Sequence, residues 1–301
     1  MDVNVVIKVD EETKNKMIEY YKDKVREKTP PYAIFQAQEE DTIITLYQSG
    51  KAMFQGLSAD VDANMWGAVI ANDKKDEADY SKYFNSNSVG SDEVGTGDFF
   101  GPIVVTAAYV KTDDIDYLKE LGVSDSKKLT DEKILKIAPM ITKRIKYKSI
   151  ILNNEEYNQK YNKETNMNKI KAIMHNKVLG SLLNEINEKV DFVIVDEFAK
   201  ENRYYGYLSD ISNVVKNITF LTKAEDKNLA VASASVISRY IFLTEFDKMS
   251  DKYQIPFPKG SGVNVDSIGK EFIEKHGKEE LDKVAKKNFS NTKRILGTMI
   301  M

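Results

Sequence analysis

At 301 residues, with 42% hydrophobic and 30% charged side chains, the chain has a globular composition and enough length for two compact units, which excludes disorder, collagen-like repeats and a simple coiled coil. It has no cysteine and two histidines, His175 and His276. Disulfide scaffolds, thiol nucleophiles, iron–sulfur clusters and cysteine or histidine-cluster zinc sites are therefore excluded, and any metal must rest mainly on oxygen ligands. The net charge of −3 gives no bulk signature of a nucleic-acid partner, although residues 1–85 hold 11 Lys and Arg against 16 Asp and Glu and the remainder 33 against 31.

Val3, Val5, Ile7 and Val9 alternate as in a strand, and residues 11–28 are predicted as a helix with Met17, Ile18, Tyr21 and Val25 on its apolar face, stopped by Pro30 and Pro31. Short strands are predicted at 32–38, 42–48 and 52–55. A helix at 58–71 follows, with Ser58 as its cap and Val61, Met65, Trp66 and Val69 on one face. This βα-βββα pattern assigns residues 1–71 to an N-terminal domain, 72–87 to a polar linker and 88–301 to a longer α/β domain. In that second domain buried strands are predicted at 103–110, 146–152 and 192–195, helices at 170–186 and 229–246, and a helical tail at 265–287. The N-terminal stretch lacks a basic region followed by an apolar run, and no segment approaches the roughly 20 apolar residues of a membrane span. A cytoplasmic protein with no membrane contact is expected, and a monomer, since no apolar helical seam is left over.

The chemistry concentrates in VGSDEVGTGDFFGP (residues 89–102), where three acids interleave with four glycines. A dinucleotide loop is rejected: the spacing of Gly95, Gly97 and Gly101 is one residue too long, and a strand-like run follows instead of a helix. Two readings stay open here. One is a glycine-rich hairpin with solvated acids; the other is a set of carboxylates holding a hard cation that in turn holds a phosphate, with Gly-Thr-Gly letting backbone approach the ligand. Asp196 directly follows a buried run, either as an exposed strand-end acid or at the carboxyl edge of a sheet where α/β proteins place their sites, and by strand alternation only one of Asp196 and Glu197 should face the other acids. Glu225 precedes a helix bearing Ala230, Ala232, Ser233, Ala234 and Ser235; the helix dipole favours an acid there in any case, but small residues let a helix lie close to a sheet. SDSKKL (124–129) is either a polar helix start or a phosphate contact through Lys127 or Lys128. FPKGS, with Lys259, and KKNFSNT, with Lys287, mix cations with aromatic and hydroxyl or amide groups suited to nucleic acid, or are solvated loops.

In their order, SDEVGTGDFFGP, SDSKKL, VIVDEF, TKAEDKNLAVASASVISRY, FPKGSG and KKNFSNT resemble the motifs of type 2 ribonucleases H over roughly residues 89–292. Gly-Thr-Gly at 95–97 where ribonuclease HII usually has Gly-Arg-Gly, Glu225 in place of aspartate, and SGKAMFQG in the N-terminal domain narrow the resemblance to ribonuclease HIII. It implies a ribonuclease H-like mixed α/β sheet flanked by helices, preceded by a small α+β domain that resembles half of the TATA-binding-protein fold and binds substrate. It also implies an endonuclease that cuts the RNA strand of RNA–DNA hybrid duplexes, leaving 5′-phosphate and 3′-hydroxyl ends. Asp92, Glu93, Asp196 and Glu225 would hold two Mg²⁺ or Mn²⁺ ions, and Gly95, Thr96 and Gly97 would read RNA 2′-hydroxyls, with Ser126, Lys127, Lys128, Lys259 and Lys287 as further substrate contacts. The chain departs from the pattern at Asn288, where histidine is frequent, and at Ala232-Ser233-Ala234, where three alanines are usual. Adjacent Asp92 and Glu93 on a regular strand would face opposite ways. His175 and His276 are assigned structural or solvated roles. A DNA-cutting two-metal nuclease and a non-catalytic hybrid-binding module are the competing readings.

Overall fold

The computed structural model describes residues 3–39, 42–56, 58–67, 80–124 and 126–297. The chain divides into two compact units, Met1–Ala78 and Asp79–Met301.

The first unit begins with β1 (Val3–Lys8) and α1 (Glu11–Tyr21), whose first turn is capped by Asp10 accepting from the Thr13 N–H at 2.8 Å. The helix is seven residues shorter than its periodicity predicts. Residues 22–24 tighten into a 3₁₀ turn and Val25 bridges to Ala37, so pairing with the sheet overrides local helix preference. β2 (Ala33–Glu39), β3 (Thr42–Tyr47), β4 (Lys51–Gly56) and α2 (Ala59–Met65) follow. The sheet is antiparallel in the order β1-β4-β3-β2, and Met17, Tyr21, Phe35, Ile44, Leu46, Phe54, Ala59 and Ala63 form its core. Ser58 sits at the start of α2 without a side-chain capping bond, and the end of the helix expected up to residue 71 lies outside the described residues.

The second unit starts within the segment read as linker. α3 (Ser81–Phe84) sets the Tyr83 ring edge-on to Phe192 at 4.8 Å, so residues 80–87 belong to this unit's packing, while 68–79 lie outside the described residues. Then come β5 (Ser88–Val94), β6 (Ile103–Val110), α4 (Ile115–Glu120), α5 (Asp131–Arg144), β7 (Lys146–Leu152), α6 (Asn154–Lys160) and α7 (Met167–Leu183). β8 (Phe192–Asp196), α8 (Glu201–Tyr207), β9 (Ile218–Leu221), α9 (Leu229–Tyr253), α10 (Val263–His276) and α11 (Ser290–Gly297) complete it. The tail predicted as continuous helix breaks after α10 at Gly277.

Its five-stranded sheet runs β7-β6-β5-β8-β9. β6 runs antiparallel to its neighbours β5 and β7, whereas β5, β8 and β9 are parallel. Every residue of β6 is buried because both faces are covered. Ile103, Val105, Ala107 and Tyr109 face a layer containing α6, α7 and α8; Val104, Ala108 and Val110 face one containing α5, α9, α10 and α11. By length and composition α9 could cross a bilayer, contrary to the sequence expectation, but 72% of its most apolar window is buried inside this protein. It is the core helix, and Gly90 of β5 marks its closest approach to the sheet: a Cβ there would lie 2.3 Å from the Val231 nitrogen.

Candidate active site

Three parallel strands discharge at one edge of the sheet. The β5–β8 register pairs Ser91 with Val195, so Asp92 and Asp196 come next on each strand, and Asp196 pairs with Leu221 at the end of β9. Glu225 follows β9 in a 3₁₀ turn, residues 224–226, entered through Lys223 in the left-handed conformation at φ +52°. The turn is fastened to β8, because the Ala224 N–H donates to Asp196 Oδ1 at 2.9 Å. Topology, not sequence proximity, thus brings positions 92–93, 196 and 225 to one edge of the sheet.

The alternation of β5 sends its two adjacent acids to opposite faces. Glu93 turns to α7, as does Ser91. Lys171 Nζ donates to Glu93 Oε1 at 2.9 Å, His175 Nε2 lies 2.9 Å from Oε2, and His175 Nδ1 lies 2.7 Å from Ser91 Oγ. The Phe198 ring stacks on His175 at 5.3 Å and carries Lys171 Nζ over its face at 4.1 Å. Burial alone would raise the proton affinity of Glu93, but Lys171 and His175 outweigh it and hold this carboxyl well below the usual range.

Asp92 turns to α9, where the Ser235 hydroxyl acts to lower its proton affinity and Ser238 Oγ donates to its backbone oxygen at 3.1 Å. Burial, reinforced by the charges of Glu93 and Asp196, drives its proton affinity far up; Asp196 is also raised, chiefly by burial and against the pull of the Ala224 N–H. Glu197 points elsewhere and pairs with Lys200 at 2.9 Å.

Beside the acids runs the glycine loop. Gly95 has φ +90°, and a Cβ on it would sit 2.1 Å from the Pro102 oxygen, whereas a Cβ on exposed Gly97 would meet nothing within 4 Å. Loop position is fixed from behind. Lys286, fully buried, donates to the carbonyls of Asp98 at 2.8 Å and Gly101 at 2.6 Å, and the Gly260 N–H donates to Asp98 Oδ1 at 2.6 Å. Burial pushes the Lys286 amine down to about 7, with Asp98 acting against the shift.

Residues 89–292 match the family model for Ribonuclease HII, and residues 4–79 match a Domain of unknown function (DUF3378). Over 301 aligned residues the chain is 40% identical to ribonuclease HIII of Listeria monocytogenes serotype 4b (strain F2365), covering 97% of this chain and 98% of that one. It is 42% identical over 305 residues to ribonuclease HIII of Bacillus cereus (strain ATCC 10987), covering 98% of each. The chain belongs to the ribonuclease HIII family. Bst-RNase HIII, solved in complex with Mn²⁺, is 37% identical and superposes with a TM-score of 0.72 over 98% of this chain and 99% of that one. The chain is accordingly a ribonuclease H enzyme with the mixed α/β fold of that family.

Against that family frame, the basic residues singled out in the sequence have distinct surroundings. Ser126 is buried, with its hydroxyl 2.7 Å from Ser235 Oγ, which ties the SDSKKL segment to the helix that holds Asp92. Lys127 is exposed, and its charge acts on both Asp92 and Asp196. Lys128 pairs with Asp226, Lys259 pairs with Asp131, which also receives Arg239 at 3.1 Å, and Lys287 pairs with Asp282 at 2.7 Å. Within KKNFSNT it is therefore Lys286 that reaches the glycine loop. His276 lies against Tyr253 and Phe272, away from the acids.

His175, assigned a structural or solvated role, is fully buried and touches Glu93. Lys171 was not singled out at all, although residues four apart on a helix share a face, and a lysine and a histidine in an otherwise apolar stripe signal a buried acid opposite them. Among the described residues no group of three or more acidic or histidine side chains is drawn closely enough together to hold an ion, and both carboxylate oxygens of Glu93 are engaged by α7.

Proposed function

We propose that the chain hydrolyses the RNA strand of RNA–DNA hybrid duplexes as an endonuclease dependent on two divalent ions, Mg²⁺ or Mn²⁺, and leaves 5′-phosphate and 3′-hydroxyl ends. The observation that carries this reading is the delivery of Asp92, Glu93, Asp196 and Glu225 to one sheet edge by three parallel strands, next to a Gly-Thr-Gly loop whose Gly97 is exposed. The donor set fits hard cations: it is all carboxylate oxygen, and burial and mutual repulsion leave Asp92 and Asp196 with excess affinity for positive charge. The Mn²⁺ held by the Bst relative supports the same choice. When bound, such ions activate water and stabilise the leaving 3′ oxygen.

The chain's own residues orient the reactants. The Ala224 N–H fixes Asp196 for coordination, Asp92 lies on the α9 side of the sheet, and Gly95, Thr96 and Gly97 present backbone to the ribose 2′-hydroxyl, the group that separates RNA from DNA. Lys127 lies on the acids' side and supplies charge toward a phosphate, with Ser126, Lys128, Lys259 and Lys287 as further contacts.

The test is cleavage of a hybrid duplex, a chimeric ribose–deoxyribose strand and a duplex with one ribonucleotide, each with Mg²⁺ and with Mn²⁺. Cuts are expected within ribose blocks, and Asp92→Asn should lower kcat about a thousandfold while hybrid affinity changes less than about threefold. Cuts confined to deoxyribose sections would overturn the reading.

A further inference from the structure

Both oxygens of Glu93 are occupied by side chains from a single helix, Lys171 on Oε1 and His175 on Oε2, each at 2.9 Å. The Lys171 and Glu93 side chains are only 11% and 13% exposed, so water screens their attraction little. The charge of Lys171 also reaches Asp196. Phe198, two residues past Asp196, lies under both Lys171 and His175 and fixes the pair in place.

We infer that Lys171 and His175 are positioning residues that hold Glu93 ready at the acidic edge, and that Lys171 is a resident counter-cation competing with a divalent ion for that carboxylate, thereby setting the metal affinity of the site. The inference rests on the proposed function and adds to it a cation that the chain itself provides. An ammonium in this place lets carboxylates from β5 and β8 stand together before metal arrives. It also opposes the ion electrostatically, because two positive charges then share one set of acids. A purely structural ion pair acts differently: its loss loosens the acids and weakens metal binding.

The sign of the change in metal affinity therefore decides the matter. Titration calorimetry of Mn²⁺ into the full chain without hybrid should show Lys171→Met binding at least about tenfold more tightly than the unmutated protein, and Lys171→Arg within about threefold of it. Metal-free Lys171→Met should melt at lower temperature and gain more on adding Mn²⁺. Its kcat on hybrid should fall with KM unchanged, because Glu93 has lost its guide. Should Lys171→Met fail to fold, Lys171→Gln, which keeps a donor for Oε1 and removes the charge, carries the same comparison. Unchanged or weaker Mn²⁺ binding in the neutral variant overturns the inference. Failure of the unmutated chain to bind Mn²⁺ and to cut hybrid overturns instead the function on which the inference rests.

Discussion

Lys286 carries its amine into the interior to hold two carbonyls of the glycine loop, and burial pushes it from 10.5 down to about 7. Between those two values the unfolded chain keeps the proton and the folded chain does not, so this residue makes stability rise with pH from about 7 upward and contributes no slope below. Urea unfolding at pH 7 and at pH 9.5 should show that gain in the unmutated protein and a flatter response in Lys286→Met. A sequence reader sees two adjacent lysines and chooses between them by chance: Lys287, the one selected, is exposed on Asp282, and only packing reveals that Lys286 faces inward. Lys171 and His175 were hidden for a similar reason. Their partner, Glu93, lies 78 and 82 positions away in the chain, and helical periodicity counts a lysine among apolar neighbours as solvated.

At the scale of elements, contact between β5 and α9 organises the site, and it rests on Gly90. Backbone stands against backbone there, so Gly90→Ala must push the helix off the sheet and should cost about 3 kcal/mol, read as a lower urea midpoint at constant slope. Gly180 of α7 provides the contrast. A Cβ on it meets Val215 at an ordinary 3.6 Å, so Gly180→Ala should stabilise by about 0.5–1 kcal/mol. The small residues of α9 announced this close approach in the sequence, as did the runs that became β6, β7 and β8. β5 and β9 did not, the first because glycine and acids interrupt its apolar pattern, the second because four residues carry too little periodicity. The opposite facing of Asp92 and Glu93 was legible from strand alternation; which helix each would meet was not.

For the whole molecule, each unit has its own apolar core. The single tryptophan, Trp66, belongs to the first unit, where its Nε1–H donates to the Tyr21 hydroxyl at 3.0 Å. Tryptophan emission should therefore follow that unit's unfolding while far-UV dichroism follows mainly the larger one, giving two midpoints on heating. Added Mn²⁺ should raise only the dichroism midpoint, since a ligand stabilises the unit that binds it. The parallel pairing of β5 with β8 also governs the order in which the enzyme can come into being. Residues 88–91 wait for partners at 192–195, and Glu225 leaves the ribosome later still. During synthesis β5 can zip onto β6 at once, but its other edge stays open for about a hundred residues, and loop closure over that distance is slow. A nascent chain thus holds Asp92 and Glu93 on a folded hairpin long before Asp196 and Glu225 exist, so under the proposed function hydrolytic competence waits until residue 225 has been made and packed.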